Sequence, residues 1–165
     1  MTYVIIDSWH PVYKSTPDIN PRVRMSDFTF QMLLQCSYIN DENDIDQKNI
    51  EHLVDDDWQE LTLSTSSPGF DIFMYAIITC QHMYFSNNAA EYGLVLSSSE
   101  GLMTVIADEH RSIQSLHVDF KGKLKKGIAD DDMVDSIIAR MNLCPVSINL
   151  KDILDRKTTV VFESS

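Results

Sequence analysis

Ser66-Ser67-Pro68-Gly69-Phe70-Asp71-Ile72-Phe73-Met74-Tyr75-Ala76-Ile77-Ile78-Thr79-Cys80-Gln81 is the stretch on which the fold turns. A serine followed by proline suits an N-cap and first helical position, here Ser67 and Pro68. Asp71 adds a carboxylate to the first turn, where the helix dipole favours it. From Phe70 to Cys80 every side chain is apolar except Asp71 and Thr79, and a helix apolar on all sides is a buried helix. Polar residues return from Gln81 onward with His82, Ser86, Asn87 and Asn88, and Gly93 suits a C′ stop. The pattern predicts a helix over about 68–92 with Cys80 near its middle. That is longer than the globular mean of about 11–12 residues, so it reads as a central helix wrapped by other elements.

Outward from this helix the periodicity changes. Upstream, Thr2-Tyr3-Val4-Ile5-Ile6 is a short β-branched and aromatic run, 14–21 has loop composition, and 22–32 alternates apolar and polar residues as a half-buried strand does. Residues 40–60 are acidic and read as a surface segment, with a short helix over 47–54. Asp55-Asp56-Asp57 is a solvated run rather than a metal site, because three consecutive side chains do not converge on one ion. Downstream, 101–107 and 115–122 read as neighbouring strands joined by a polar turn at 108–112. A basic turn with Lys121, Lys123, Lys125 and Lys126 follows. Asp130-Asp131-Asp132 then caps a helix with an apolar stripe at Met133, Ile137, Ile138 and Met141. Leu143-Cys144-Pro145 breaks that helix, a second is expected from Pro145 to about Leu154, and 158–162 closes the chain as a strand. The expected order is strands, buried helix, two strands, helix pair, strand: an α+β fold in a single domain over 1–165.

Composition narrows the function. Of 165 residues, 44% are hydrophobic and 23% charged, which excludes a disordered, collagen-like or disulfide-scaffold chain. With 13 basic and 25 acidic side chains the net charge is −12, against nucleic acid or an anionic membrane as partner. No apolar run reaches 18 residues, so no membrane span is expected. The N-terminal stretch lacks a basic n-region, so a cytoplasmic location is expected. Three cysteines (Cys36, Cys80 and Cys144) in such a chain suggest a reducing compartment, where each is either packing or chemistry.

Cys144 precedes Pro145, at or beside the N-cap of the last helix, where free amides and the dipole favour a thiolate. Asp71 lies two and a half turns before Cys80, about 13 Å along the axis and on another face. Burial alone would raise the Cys80 pKa, so a functional Cys80 needs a cation nearby, and arginine is the natural candidate. On chemistry alone a second reading stands beside this one: all three thiols are small buried hydrophobes.

The helix ending Ala76-Ile77-Ile78-Thr79-Cys80-Gln81, the helix opening Cys144-Pro145-Val146-Ser147, their separation of 64 residues and the element order between them resemble the OsmC/Ohr group of small thiol proteins. The match covers about 66–163; the first 65 residues agree only in being strand-rich. The resemblance implies an intertwined α+β homodimer with central helices packed inside wrapped sheets. It also implies an organic hydroperoxide substrate, Cys80 as the attacking thiolate and Cys144 as the thiol that condenses with it to a disulfide. A lipoyl or thioredoxin-like dithiol would be the reductant, with no bound cofactor or metal. The group's peroxidases carry a glutamate ten residues before the first cysteine, just after Asn-Pro. Here that position is Phe70, behind Pro68-Gly69, and the nearest acid is Asp71. For the strand arginine that activates the thiolate, Arg22 and Arg24 are the candidates. The expected site is therefore Cys80, Cys144, Asp71, Arg24 and Arg22.

Other features carry less. His82 points about 200° from Cys80 on a helix, so the two cannot share a metal. His110 and His117 flank the strand turn without close partners in sequence, the lysine cluster reads as a solvated turn, and Cys36 reads as structural. Two alternatives to a peroxidase stand: a non-catalytic OsmC-like protein binding a small apolar ligand between subunits, and an acidic interaction module built on 40–60.

Overall fold

The computed structural model describes residues 27–164; the expected strand over 2–6, the loop over 14–21, and both Arg22 and Arg24 lie outside the described residues. Strands β1 (Phe28–Tyr38), β2 (Ile45–Val54) and β3 (Asp57–Glu60) come first, then helix α1 (Gly69–Glu91). Strands β4 (Val95–Ala107) and β5 (Ile113–Lys126) follow, then helix α2 (Asp131–Met141), a 3₁₀ turn at Ser147–Leu150, and strand β6 (Asp155–Ser164). The six strands form one sheet in the order β3-β2-β1-β4-β5-β6. Every neighbouring pair is antiparallel except β5 and β6, which run parallel because α2 carries the chain back between them.

Alternation sets which sheet face meets α1. Met32, Leu34 and Cys36 of β1, Met103 and Val105 of β4, and Leu116, Val118 and Phe120 of β5 are all buried. They pack with Met74, Ile77, Ile78 and Phe85 of the helix in one core. Each such side chain contributes about 1.5–3 kcal/mol by leaving water. Phe85 stacks on Phe120 at 5.2 Å and on Phe162 at 5.6 Å, so α1 lies across the sheet rather than beyond its edge. Gly101 makes room for this: a Cβ there would meet the Phe120 ring at 2.5 Å.

The helix is found where the sequence places it, with Gly93 at φ 72° after its end. The cap is shifted by one residue. Pro68 is the N-cap, its carbonyl accepting the Ile72 amide at 3.2 Å, while the Ser67 hydroxyl accepts from the Ser64 amide at 2.8 Å. Nor is α1 wrapped on every side within this chain. Ile72, Phe73 and Met83 are 42%, 39% and 50% exposed.

The expected helix over 47–54 is instead β2. Asp55 and Asp56 both adopt positive φ, 50° and 69°, the mark of a two-residue type I′ hairpin turn. Asn43, also at positive φ, is buried and ties the β1–β2 turn down through the Ser86 and Leu94 carbonyls and the Leu96 amide. Turn chemistry thus overrides local helical propensity. Likewise, Lys121 to Lys126 is no turn but the end of β5. The second C-terminal helix shrinks to the 3₁₀ turn. After the turn ends at Leu150 the chain must reach β6 by Asp155 to pair in parallel with β5. Asp130 caps α2 as expected, accepting the Met133 amide at 2.8 Å.

Candidate functional site

Cys80 and Cys144, 64 residues apart in sequence, are neighbours in the fold. Cys80 is half-buried on α1, and Cys144 is fully buried where α2 gives way to the 3₁₀ turn. Burial and then the adjacent Cys144 thiol push the Cys80 pKa up, while the Val146 amide pulls it down. The Cys144 sulfur accepts the Ser147 amide at 3.3 Å and its thiol donates to Ser147 Oγ at 3.1 Å. Its carbonyl accepts the Ile148 amide at 3.1 Å. The 3₁₀ turn itself is capped at Val146 without a side-chain bond, so Cys144 lies just ahead of the cap, and the two sulfurs face the successive amides of Val146 and Ser147.

At 100° per residue, Ile72, Phe73, Ala76, Cys80, Met83 and Asn87 share an arc of about 100°. This is the exposed side of α1. Cys80 thus opens onto a largely apolar surface, with Cys144 behind it. Gln81, one step of 100° around the helix from Cys80, is fully buried and points away from that surface. Its Nε2 donates to Ser147 Oγ at 3.0 Å, and its Oε1 accepts from Thr158 Oγ1 at 3.5 Å. Arg156 donates to the Ser147 carbonyl at 2.7 Å. Among the described residues no buried side-chain nitrogen or oxygen lacks a partner, as expected where an orphaned one costs about 1–3 kcal/mol.

No family model and no curated protein matches the sequence. Solved structures do match the fold. An OsmC-like hydroperoxide resistance protein from Jannaschia sp. aligns at TM-score 0.53 and 10% identity, over 75% of this chain and 87% of that one. A hypothetical protein from Aquifex aeolicus aligns at TM-score 0.53 and 7% identity, over 80% and 96%. The chain has the OsmC-like fold.

Within the OsmC-like fold, Asp71 is not gathered with the thiols, and Arg22 and Arg24 lie outside the described residues. Asp71 stays in the first turn of α1, more than two turns from Cys80. Phe70 packs edge-on against Phe30 at 4.9 Å. The guanidinium of Arg111 lies 4.6, 4.9 and 5.8 Å from the Phe30, Phe28 and Phe70 ring centres. An arginine thus meets aromatic faces at the Phe70 position. Of the described arginines, Arg111 sits on these rings, Arg140 ties α2 to α1 through Asn88 and Glu91, and Arg156 holds Ser147. None of them is among the groups acting on Cys80.

Of the described histidines, His82 is built into the core, and His117 and His110 lie outside it. His82 Nε2 is 2.8 Å from the Tyr38 hydroxyl, which is 2.6 Å from Ser99 Oγ. Burial, with Lys48 adding to it, lowers the His82 pKa to about 4. A groove of about 320 Å³ lies on that side of α1, between Lys48, Asn43, His82 and Met83. His117 pairs with Asp155 at 2.9 Å on the outer sheet face, and His110 is exposed. Among the described residues no three His, Cys, Asp or Glu side chains cluster to hold a metal, and no helix is long and apolar enough to cross a membrane. Cys36 is buried in β1, its pKa pushed up to about 11 by burial. Gln81, Ser147, Thr158 and Arg156 are the site residues that sequence reasoning missed. Their one signal was a glutamine placed immediately after an apolar helical run.

Proposed function

We propose that this protein is a thiol-dependent peroxidase that reduces organic hydroperoxides through Cys80 and a Cys80–Cys144 disulfide. The observation that carries this reading is the meeting of the two thiols, one opening onto an apolar surface and the other sheltered behind it. The fold is shared with a protein named for hydroperoxide resistance, which supports a redox or peroxide-related role. In the proposed cycle the Cys80 thiolate attacks the O–O bond of the hydroperoxide, releasing the alcohol and leaving a sulfenic acid. Cys144 then displaces the sulfenic hydroxyl as water, forming the disulfide, and an external dithiol, lipoyl or thioredoxin-like, restores both thiols. The exposed arc of α1 around Cys80 suits an apolar peroxide, and a second copy of the chain packed over part of that arc would complete a homodimer.

A second reading is favoured by Phe70. With rings rather than a carboxylate there, and no described arginine acting on Cys80, the same surface would hold a small apolar ligand between two copies without reacting. One experiment separates the two. Cumene hydroperoxide is added to the reduced protein, peroxide loss is followed, and the cysteines are mapped by mass spectrometry. Consumption with a Cys80–Cys144 disulfide, both abolished in Cys80→Ser, is expected. Equal, uncatalysed peroxide loss in wild type and Cys80→Ser, with no disulfide, sinks the peroxidase reading in favour of the second.

A further inference from the structure

Gln81 is a polar residue on a buried flank of α1, next in sequence to the half-buried Cys80 and wholly enclosed. Its amide makes the link between the helix that carries one thiol and the turn that carries the other. Nε2 donates to Ser147 Oγ at 3.0 Å, and that same oxygen accepts the Cys144 thiol at 3.1 Å. The far end of the amide is held as well. Thr158 Oγ1 of β6 lies 3.5 Å from Gln81 Oε1 and 3.4 Å from Asn142 Oδ1, just ahead of Cys144. Arg156 fixes the Ser147 peptide from below through its carbonyl. The Ser147 hydroxyl therefore has its orientation set by Gln81, and the Cys144 side chain is set by that hydroxyl together with the Ser147 amide.

We propose that Gln81 is a positioning residue for the cysteine pair, holding the Cys144 thiol against Cys80 through Ser147 and so setting how readily the Cys80–Cys144 disulfide closes. This rests on the peroxidase reading for its purpose but not for its geometry. In the closing step the Cys144 sulfur bonds to the sulfur of the Cys80 sulfenic acid and the S–O bond breaks. The hydroxyl leaves with the Cys144 proton as water. The electrons have already gone to the hydroperoxide that oxidised Cys80, so no further oxidant is needed. Ring closure of this kind depends on holding the attacking atom in place, and misplacement by about 1 Å costs up to about 100-fold.

The test compares wild type with Gln81→Leu, which keeps the buried volume and removes both hydrogen bonds. Ser147→Ala breaks the same link from the other side and serves if Gln81→Leu fails to fold. Two readouts are used. In equilibrium with oxidised and reduced dithiothreitol, the effective concentration of the Cys80–Cys144 pair is expected to fall at least about 10-fold in either variant. After one equivalent of cumene hydroperoxide, Cys80 sulfenic acid trapped by dimedone is expected at the wild-type rate, with the disulfide forming at least about 10-fold more slowly. A merely structural role would lower the melting temperature and leave the exchange equilibrium of the folded protein alone. An unchanged dithiothreitol equilibrium overturns the proposal whatever the peroxide does. Failure of wild type to react with peroxide overturns the peroxidase reading instead, and the exchange measurement still decides on Gln81.

Discussion

Cys80 carries two opposed influences. Burial and the Cys144 thiol favour its protonated form, and the Val146 amide favours the thiolate. The balance is upward, so the thiolate fraction at neutral pH is below that of an ordinary exposed cysteine, and reactivity should rise with pH through and beyond the usual thiol range. Removing the neighbouring thiol removes one of the raising influences. In Cys144→Ala the midpoint of Cys80 alkylation by iodoacetamide against pH is expected to move to lower pH than in the reduced wild type. An equal or higher midpoint would mean that Cys144 does not act on Cys80. His82 shows the opposite case for a base: its pKa is lowered to about 4, so it is neutral at physiological pH and belongs to the core rather than to the chemistry. That Cys80 and Cys144 deserved attention was legible from their local motifs. That Gln81 and Ser147 join them was not, because a hydrogen bond across 66 residues leaves no local pattern.

At the scale of elements, legibility followed how locally each is determined. α1 and α2 are written in consecutive caps and apolar periodicity, and their observed limits, Gly69–Glu91 and Asp131–Met141, lie close to those predicted. The 45–60 hairpin was misread because acidic residues speak for solvent exposure, not for strand or helix. Only Ile50, packed opposite Leu34, gives β2 a buried anchor. The 3₁₀ turn after Cys144 was overestimated for a related reason, since the demand to enter β6 comes from the parallel pairing with β5. The strands β4 and β5 gain their length from pairing across the whole sheet, and Gly101 marks where a ring crosses beneath. Because Phe120 is itself pinned by Phe85 at 5.2 Å, Gly101→Ala leaves the ring little room to yield. It is expected to lower stability by about 1–3 kcal/mol in urea unfolding; a change below about 0.5 kcal/mol would show that the ring moves freely.

At the scale of the molecule, the sheet covers one side of α1 and α2 flanks another, which leaves Ile72, Phe73 and Met83 facing outward in a row around Cys80. A helix that is apolar all round but covered on only part of its circumference has surface to bury elsewhere. The homodimer proposed for this chain predicts an apparent mass near twice 18.9 kDa by sedimentation equilibrium. Phe73→Glu, placing a charge in the middle of the row, is expected to give monomers that retain the wild-type circular dichroism. A wild-type chain that sediments as a monomer at high micromolar concentration removes the dimer.

The sequence by itself determined helices α1 and α2, the turn at 108–112, the break at Cys144-Pro145 and the order of most elements. Each of these depends on residues a few positions apart, whose geometry the backbone repeats of 3.6 and 2 already dictate. Only the tertiary structure decided that 45–60 is a hairpin, that α1 is open on one side and that the Phe70 position faces Arg111 and Phe30 rather than an ion pair. It also decided that the two thiols meet and that Gln81 holds the turn carrying Cys144. These are matters of which surfaces meet across tens of residues, and packing and long-range hydrogen bonds settle them after the local pattern has fallen silent.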